Sequence, residues 1–189
     1  MIFLASTQLA FASRSDLTVE VRDADARPLD EVVVYAVPRE TSLSPPKGEA
    51  IMDQRNRMFV PHVLPIQTGT AVKFPNSDNV RHQVYSFSSP KKFQIPLYEG
   101  TPAEAIVFDK PGVLTLGCNI HDRMSAFIVV VDTPYFGVTE DGRVELKNLD
   151  AGSYDVYVWH AGLRHEPSPQ RVTLGEAEHR DLVYTTRKK

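Results

Sequence analysis

Short runs of apolar and β-branched residues recur along the whole chain, several of them alternating with polar residues, and Pro, Gly or Asn breaks separate them. Alternation over a few residues is typical of half-buried strands, and 14 scattered prolines argue against long helices. The pattern therefore predicts an all-β protein. The predicted strands are Leu17 to Val21, Val32 to Val37, Met58 to Ile66, Ala71 to Phe74, His82 to Phe87, Ala105 to Phe108, Val113 to Leu116, Phe127 to Val131, Tyr154 to Trp159, Arg171 to Leu174 and Leu182 to Thr185.

The turns between these runs are short and regularly spaced. Asp141-Gly142 is the clearest of them, because Asp-Gly between two apolar stretches is a strong signal for a tight hairpin. Many short strands at this spacing suit a β-sandwich.

Composition adds little to this picture but excludes several classes of protein. The 189 residues are 42% hydrophobic and 24% charged, which is ordinary for a globular protein. A formal charge of -3 gives no general reason to expect nucleic acid as a partner. No stretch approaches the ~18 consecutive apolar residues of a membrane span.

The N-terminus resembles the later part of a secretory signal peptide. Residues 1–12 are mostly apolar and close on Ala10-Phe11-Ala12, an A-x-A cleavage pattern. The usual basic beginning is missing, since the first arginine is Arg14, and we expect the true start codon to lie upstream. An apolar first strand is the alternative. The sequence thus predicts a bacterial-type exported protein of the periplasm.

The most informative motif is Gly117-Cys-Asn-Ile-His-Asp-Arg-Met124. Its Cys118, His121 and Met124 offer a thiolate, an imidazole and a thioether, a set of ligands that suits copper. Cys118 is the chain's single cysteine, and in an oxidising compartment a metal would protect a thiol that has no disulfide partner. The alternative is a buried, inert cysteine.

A fourth ligand must come from upstream, because a blue copper site takes two imidazoles, one Cys and a weak axial Met. His82 is the candidate, since it begins a strand directly after a polar turn. Cys118 closes one predicted strand and Phe127 opens the next, so the motif is a strand-to-strand turn. His82 and this turn can meet at one end of a sandwich.

These segments resemble the cupredoxins, the small blue copper proteins with a Greek-key β-sandwich. The resemblance covers residues 51–132, and the Cys-x2-His-x2-Met spacing is similar to that of amicyanin. It implies one type 1 copper ion with His82 and His121 as nitrogen ligands, Cys118 as the short thiolate ligand and Met124 as the weak axial ligand. The wider run from Met58 to the predicted strand of Tyr154 to His160 also looks like exported plastocyanin-like and methylamine-utilisation proteins.

The flanking segments resemble a different family. Residues 14–50 and 133–189 look like the strands of carboxypeptidase-regulatory-like, transthyretin-like sandwiches. This resemblance predicts an additional small β-sandwich, with the cupredoxin domain of residues 51–132 inserted into it. The alternative is that both flanks decorate one enlarged sandwich.

The central segment departs from cupredoxins at Gln83, where Asn often follows the first histidine and ties its strand to the ligand turn. Asn119 or Asn76 could supply that tie. This departure bears on the reduction potential of the site more than on its existence, because hydrogen bonds around the ligands shift that potential.

The other histidines are weaker candidates for metal ligands. His62 lies inside an apolar run, where a packed or edge histidine is the ordinary interpretation. His160 and His165 could form a second pair, but the residues between them include Gly and fix no common face. His179 is a weaker candidate than this pair.

Four basic residues near the motifs, Arg81, Lys91, Lys92 and Arg123, could form a positive patch on the copper face. Such a patch would steer an acidic redox partner. Solvated surface charge is the alternative.

The motifs predict an electron carrier with a single type 1 copper ion. A periplasmic copper chaperone or sensor without a role in a redox chain is the alternative, because the ligands cannot separate the two. We expect no enzyme activity: there is no His-x-His or His-Cys-His for a catalytic copper centre, and no second Cys for a dinuclear one. A cysteine hydrolase would also need a residue that orients His121.

Overall fold

The computed structural model describes residues 14–41, 48–102, 104–163 and 165–187, and every regular element among them is a β-strand. The predicted all-β class is therefore confirmed. The strands are β1 (Ser15–Arg22), β2 (Val33–Pro38), β3 (Glu49–Ile51), β4 (Asp53–Arg55), β5 (Met58–Val60), β6 (Val63–Gln67), β7 (Thr70–Lys73), β8 (His82–Ser86), β9 (Phe93–Tyr98), β10 (Ile106–Phe108), β11 (Gly112–Gly117), β12 (Ser125–Val131), β13 (Phe136–Val138), β14 (Arg143–Leu149), β15 (Gly152–Trp159), β16 (Gln170–Leu174) and β17 (His179–Thr185). The predicted signal segment, residues 1–12, lies outside the described residues.

Strands from the two ends of the chain form two sheets around one apolar core. Their orders are β14-β1-β17 and β13-β2-β15-β16. Strand β1 pairs antiparallel with β14 and parallel with β17, so it lies between two strands from the other end of the chain. Its alternate residues Leu17, Val19 and Val21 are fully buried, as a strand with one face in a core requires.

The chain passes from one of these sheets to the other through the predicted Asp141-Gly142 turn. Glu140 and Arg143 exchange two backbone hydrogen bonds of 3.0 Å, and both central residues have positive φ, 51° and 72°. That geometry is the tight hairpin turn that Asp-Gly favours. A Cβ on Gly142 would lie 2.7 Å from the Cβ of Pro28, so only glycine fits.

The strands of the central segment enclose a second core. A five-stranded sheet, β6-β12-β11-β8-β9, and a three-stranded sheet, β10-β7-β3, contribute side chains to it, and the β4–β5 hairpin closes one side. Among its buried members are Leu114 of β11, Ile128 of β12 and Val72 of β7. Cys118 and Met124 belong to the same buried cluster, which extends the core into the turn between β11 and β12.

A third apolar cluster joins the two groups of sheets. Val33 of β2 packs there with Val63 of β6 and with Val129 and Val131 of β12. The cluster buries the outer face of β12 against strands of the chain ends. The predicted domain boundaries stay a prediction.

Several elements differ from the sequence prediction, among them the short strands β3 and β4, which it did not include. The run from Met58 to Ile66 forms two strands, β5 and β6, because the chain turns at Pro61 and His62 and the two strands join different sheets. Strand β9 was not predicted, since Pro96 interrupts its apolar pattern. It is an edge strand, where a proline costs no hydrogen bond in the sheet. Within the described ranges, no helix is long and apolar enough to cross a membrane.

Candidate metal centre

The turn between β11 and β12 presents Cys118 and His121 at one end of the central core. Gly117 ends β11 opposite Ser125, which begins β12, so two paired strands fix both ends of the turn. Inside it, the amide of Met124 donates to the carbonyl of His121 at 2.9 Å. Cys118 is buried, whereas His121 is half-buried and its neighbour Ile120 is 49% exposed.

Strand pairing brings His82 to the same place from far upstream. Strand β8 lies beside β11, with Tyr85 opposite Gly117, and His82 begins β8 at the end where Cys118 follows β11. The imidazole of His82 is fully buried. Its Nδ1 lies 3.9 Å from Cys118 Sγ, and Nδ1 of His121 lies 4.0 Å from the same sulfur.

The three donor atoms are close enough to share one ion. One ligand atom each of His82, Cys118 and His121 lies within 4.8 Å of the other two, and the two imidazole centroids are 4.9 Å apart. A metal–sulfur and a metal–nitrogen bond of about 2.3 and 2.0 Å add up to about 4.3 Å, taking zinc as the guide. Both measured sulfur–nitrogen distances are shorter than that limit. Each of the two nitrogens is therefore close enough to Cys118 Sγ to share one ion with it.

The chemistry of this donor set matches a type 1 copper site. Two imidazoles and one thiolate in a buried cluster are the equatorial ligands that such a site requires. Met124, the predicted axial ligand, is 2% exposed and packs in the same apolar cluster as Cys118. Its part in metal binding stays a prediction.

His82 has a second hydrogen-bond partner that the sequence analysis missed. Its Nε2 lies 2.7 Å from Oδ2 of Asp78, four residues before it. Burial opposes the ionisation of Asp78, but hydrogen bonds from the amide of Arg57, from the imidazole of His82 and from the amide of Asn56 outweigh it and lower the pKa of that carboxyl. The polar segment before β8 could have indicated this partner, because it places a carboxylate close in sequence to a predicted metal-binding histidine.

A half-buried tyrosine lies next to this histidine. Tyr98 of β9 pairs with His82, and its hydroxyl donates to the carbonyl of Phe74 at 2.7 Å and accepts from the side-chain amide of Gln54. Burial raises the pKa of Tyr98 to about 12. The Oε1 atom of Gln54 is buried without a hydrogen-bond partner among the described residues. The wall of the site on this side is thus polar.

Of the proposed substitutes for the missing Asn, Asn76 makes the most extensive contacts. Its Nδ2 donates to the carbonyls of Val80 and Tyr98, each at 2.9 Å, and its Oδ1 accepts from the amide of Asp78. These bonds tie the segment before β8 to β9 rather than to the ligand turn. Gln83 itself is buried.

The remaining histidines lie elsewhere. His62 pairs with Glu31 at 2.9 Å and packs edge-on against Phe127, and His160 accepts from the amide of Gly162 at 2.9 Å. His179 lies 3.3 Å from the hydroxyl of Thr18. Among the side chains that the structure describes, His82, Cys118 and His121 are the only group of three potential ligands close enough to hold an ion.

The four predicted basic residues do not share one face. Lys91 and Lys92 lie in the connection between β8 and β9, and Pro90 beside them contacts Gly112 at the start of β11. Since the ligand turn follows the other end of β11, these lysines lie far from it. Arg123 is exposed in the ligand turn itself. Arg81 is next to His82 but forms an ion pair with Glu99 at 3.0 Å.

Several solved structures of cupredoxins are similar to part of this chain. A purple cupredoxin from Nitrosopumilus maritimus is 24% identical and matches 45% of this chain and 100% of its own length, with a TM-score of 0.38. A variant of amicyanin in its reduced state is 19% identical and matches 51% of this chain and 99% of its own, with a TM-score of 0.40. The predicted resemblance to cupredoxins is borne out at the ligands, because His82, Cys118 and His121 come together in one cluster.

One match is to part of a larger protein. A copper-containing nitrite reductase from Thermus scotoductus is 26% identical over 59% of this chain, which corresponds to 28% of its own length, with a TM-score of 0.41. No protein-family model matches the chain, and no curated protein matches it either.

Proposed function

We propose that this protein is a mononuclear type 1 copper protein that carries single electrons. The observation that supports the proposal most is the convergence of Cys118, His82 and His121 at sulfur–nitrogen distances of 3.9 and 4.0 Å. A bound copper ion would supply the one-electron couple between Cu(II) and Cu(I). In the proposal Met124 is the weak axial ligand.

The chain's own residues suit a carrier because they hold the ligands before a metal arrives. His82 begins a strand, and both ends of the ligand turn belong to paired strands, so little rearrangement is needed when the charge of a bound ion changes. The apolar cluster around Cys118 excludes water from the thiolate. The half-buried His121 is the ligand that approaches the surface, and it is the proposed route for electrons.

The same burial favours a carrier over a copper chaperone or sensor. Delivery of copper to another protein requires that ligands be exchanged, and a fully buried His82 and a buried Cys118 obstruct that exchange. We therefore expect slow release of copper to a chelator. We also expect no enzyme activity.

Copper loading tests the proposed function directly. The protein loaded with Cu(II) should show an intense thiolate-to-copper band in visible absorption and the small copper hyperfine splitting of a type 1 site in electron paramagnetic resonance. Cys118→Ala should lose both signals, because it removes the sulfur that produces them. A wild-type protein without the band, or a Cys118→Ala protein that keeps it, would exclude the assignment.

Three further parts of the proposal concern the setting of the site. The protein works in the periplasm after removal of residues 1–12, which N-terminal sequencing of the exported form would test.

Residues 14–50 and 133–189 form one domain and residues 51–132 the other. The redox partner is acidic and docks on the face that carries His121 and Arg123.

A further inference from the structure

We propose that Asp78 is the positioning residue of this metal centre: its carboxylate fixes the tautomer and the orientation of the His82 imidazole, and so sets both the copper affinity and the reduction potential. The inference rests on the proposed copper site. It concerns a residue that donates no ligand atom to the cluster of His82, Cys118 and His121.

The hydrogen bond itself determines which ring nitrogen of His82 is available. Because an ionised carboxylate only accepts, the 2.7 Å contact with Asp78 requires that Nε2 of His82 carry the hydrogen. In the neutral ring Nδ1 then keeps its lone pair. Nδ1 is the atom that lies 3.9 Å from Cys118 Sγ, so the tautomer selected by Asp78 is the one that can bind a metal shared with that sulfur.

Backbone groups hold the carboxylate of Asp78 in place. Oδ1 accepts from the amide of Asn56 at 2.6 Å, and Oδ2 accepts from the amide of Arg57 at 2.8 Å as well as from His82. Asn56 and Arg57 form the turn between β4 and β5 and have φ values of 54° and 60°, a conformation in which successive amides can point toward one anion. The turn is thus a preformed seat for this carboxylate.

The hairpin that carries this seat is itself fixed to the segment before β8. The amide of Gln54 donates to the carbonyl of Pro75 at 3.0 Å, and the amide of Ser77 donates back to the carbonyl of Gln54 at 2.9 Å. Asp78 also donates its own amide to Oδ1 of Asn76. Its carboxylate therefore has little freedom to move, and the imidazole bonded to it has equally little.

A carboxylate on the far nitrogen makes an imidazole a stronger electron donor to a metal. Such partners of metal-bound histidines typically account for about 10–100-fold in metal affinity. The added negative charge stabilises Cu(II) more than Cu(I), so it lowers the reduction potential. Asp78 should do both here, because its contact with His82 is short and the ring is fully buried.

The test compares two variants of Asp78 with a matched control. Asp78→Asn keeps the size of the side chain and one acceptor oxygen but removes the charge, and Asp78→Ala removes the acceptor. Asp122→Asn removes the same charge from an exposed position in the ligand turn, next to His121. Thermal unfolding of all three without metal establishes that each variant is folded.

The first readout needs no metal. In the apoprotein, long-range proton–nitrogen correlation of the imidazoles, assigned with His82→Gln, should give the Nε2–H tautomer for His82 in the wild type and in Asp122→Asn. Asp78→Ala should give a mixture of tautomers. If His82 had the same single tautomer in Asp78→Ala, the positioning role would be excluded, and Asp78 would merely tie the β4–β5 turn.

The second readout uses Cu(II) and separates this inference from the proposed function. Competition with a chelator should rank copper affinity as wild type, Asp78→Asn, Asp78→Ala, with a loss of about 10–100-fold for the last. The potential should rise in both Asp78 variants and change little in Asp122→Asn. Equal effects in the Asp78 variants and the control would overturn the inference, whereas a wild type without a thiolate band would overturn the copper site itself.

Discussion

The metal centre has a buried half and a surface half, and they are built differently. The buried half is His82, fully enclosed and bonded to a carboxylate that a separate hairpin holds. The surface half is the turn of residues 118–124, whose ends, Cys118 and Met124, are buried but whose middle is not: His121 is half-buried, and Ile120 and Asp122 are exposed. The contrast indicates that the two halves have different roles. The buried half fixes the positions of the ligands, and the surface half is the part of the site that reaches solvent.

Removal of either imidazole should have the largest effect and should also separate the two halves. We expect that His82→Gly and His121→Gly both lose the thiolate-to-copper band, because each lacks an equatorial ligand. Added imidazole should restore the band in His121→Gly, since that site opens toward solvent, but not in His82→Gly. Visible titration with imidazole measures this difference.

The buried variant should also be the less stable one. His82→Gly empties a closed space and should lower the free energy of unfolding by about 3 kcal/mol, whereas His121→Gly should lower it much less. Urea unfolding of both apoproteins is the control. Equal rescue of the two variants by imidazole would mean that the halves do not differ in access.

Gly117 lies where the two halves touch, and substitution there tests their coupling. A Cβ on Gly117 would lie 2.6 Å from Cζ and Oη of Tyr85, whose ring packs on that of Phe87 at 5.2 Å. Gly117→Ala should lower the free energy of unfolding by about 1–3 kcal/mol and shift the copper band, because it displaces the strand that leads to Cys118.

A double-mutant cycle identifies the source of that loss. In a Tyr85→Ala background, Gly117→Ala should cost much less, since the atoms that it meets are gone. A loss of the same size in both backgrounds would assign the effect to the backbone of β11 and not to contact between the halves.

Asp53 supports the hairpin behind the buried half, and its contribution should depend on pH. Burial opposes its ionisation, but bonds from Arg55 at 2.7 Å, Ser77 at 3.0 Å and the amide of Gln54 at 2.7 Å lower its pKa below the ordinary 3.8. A lowered pKa means that the folded state is stabilised above 3.8 and that this stabilisation disappears as the pH falls through the folded-state pKa.

Asp53→Asn should therefore lower the free energy of unfolding by about 1 kcal/mol at neutral pH and by much less in acid. Urea unfolding at both pH values measures the difference. Asp25→Asn, at a carboxylate whose side chain is 70% exposed, should change little at either pH. A loss that is independent of pH would mean that the charge of Asp53 does not support the hairpin.

The two halves also differ in how far the sequence could predict them. The surface half is local: Cys118, His121 and Met124 share one turn, so their spacing already displays the ligand pattern. The buried half depends on strand pairing between β8 and β11 and on a seat in the β4–β5 turn, and no local pattern encodes either contact. His82 could be predicted because its residue type and strand position were distinctive. Asp78 was missed because a carboxylate in a polar turn is ordinary until its partner is known.

Dependence on the fold also explains why the four predicted basic residues do not form one patch. Lys91 and Lys92 are close to the ligands in sequence order but lie at the far end of β8, because the strand carries the chain away from His82 before the next connection. Sequence proximity predicts spatial proximity only where the chain turns back at once. Arg123, inside the ligand turn, meets that condition.

The smallest expected effect concerns this surface charge. If an acidic partner docks on the surface half, Arg123→Glu should slow electron transfer with that partner by several-fold at low salt, and added salt should remove the difference, because exposed charges are screened beyond about 10 Å at 0.1 M. Lys92→Glu makes the same change in charge at the far end of the sheet and should leave the rate nearly unchanged. Stopped-flow rates over a range of ionic strength give the comparison. Equal slowing by both variants would mean that the overall charge of the protein steers the partner, and the surface half would then have no special part in docking.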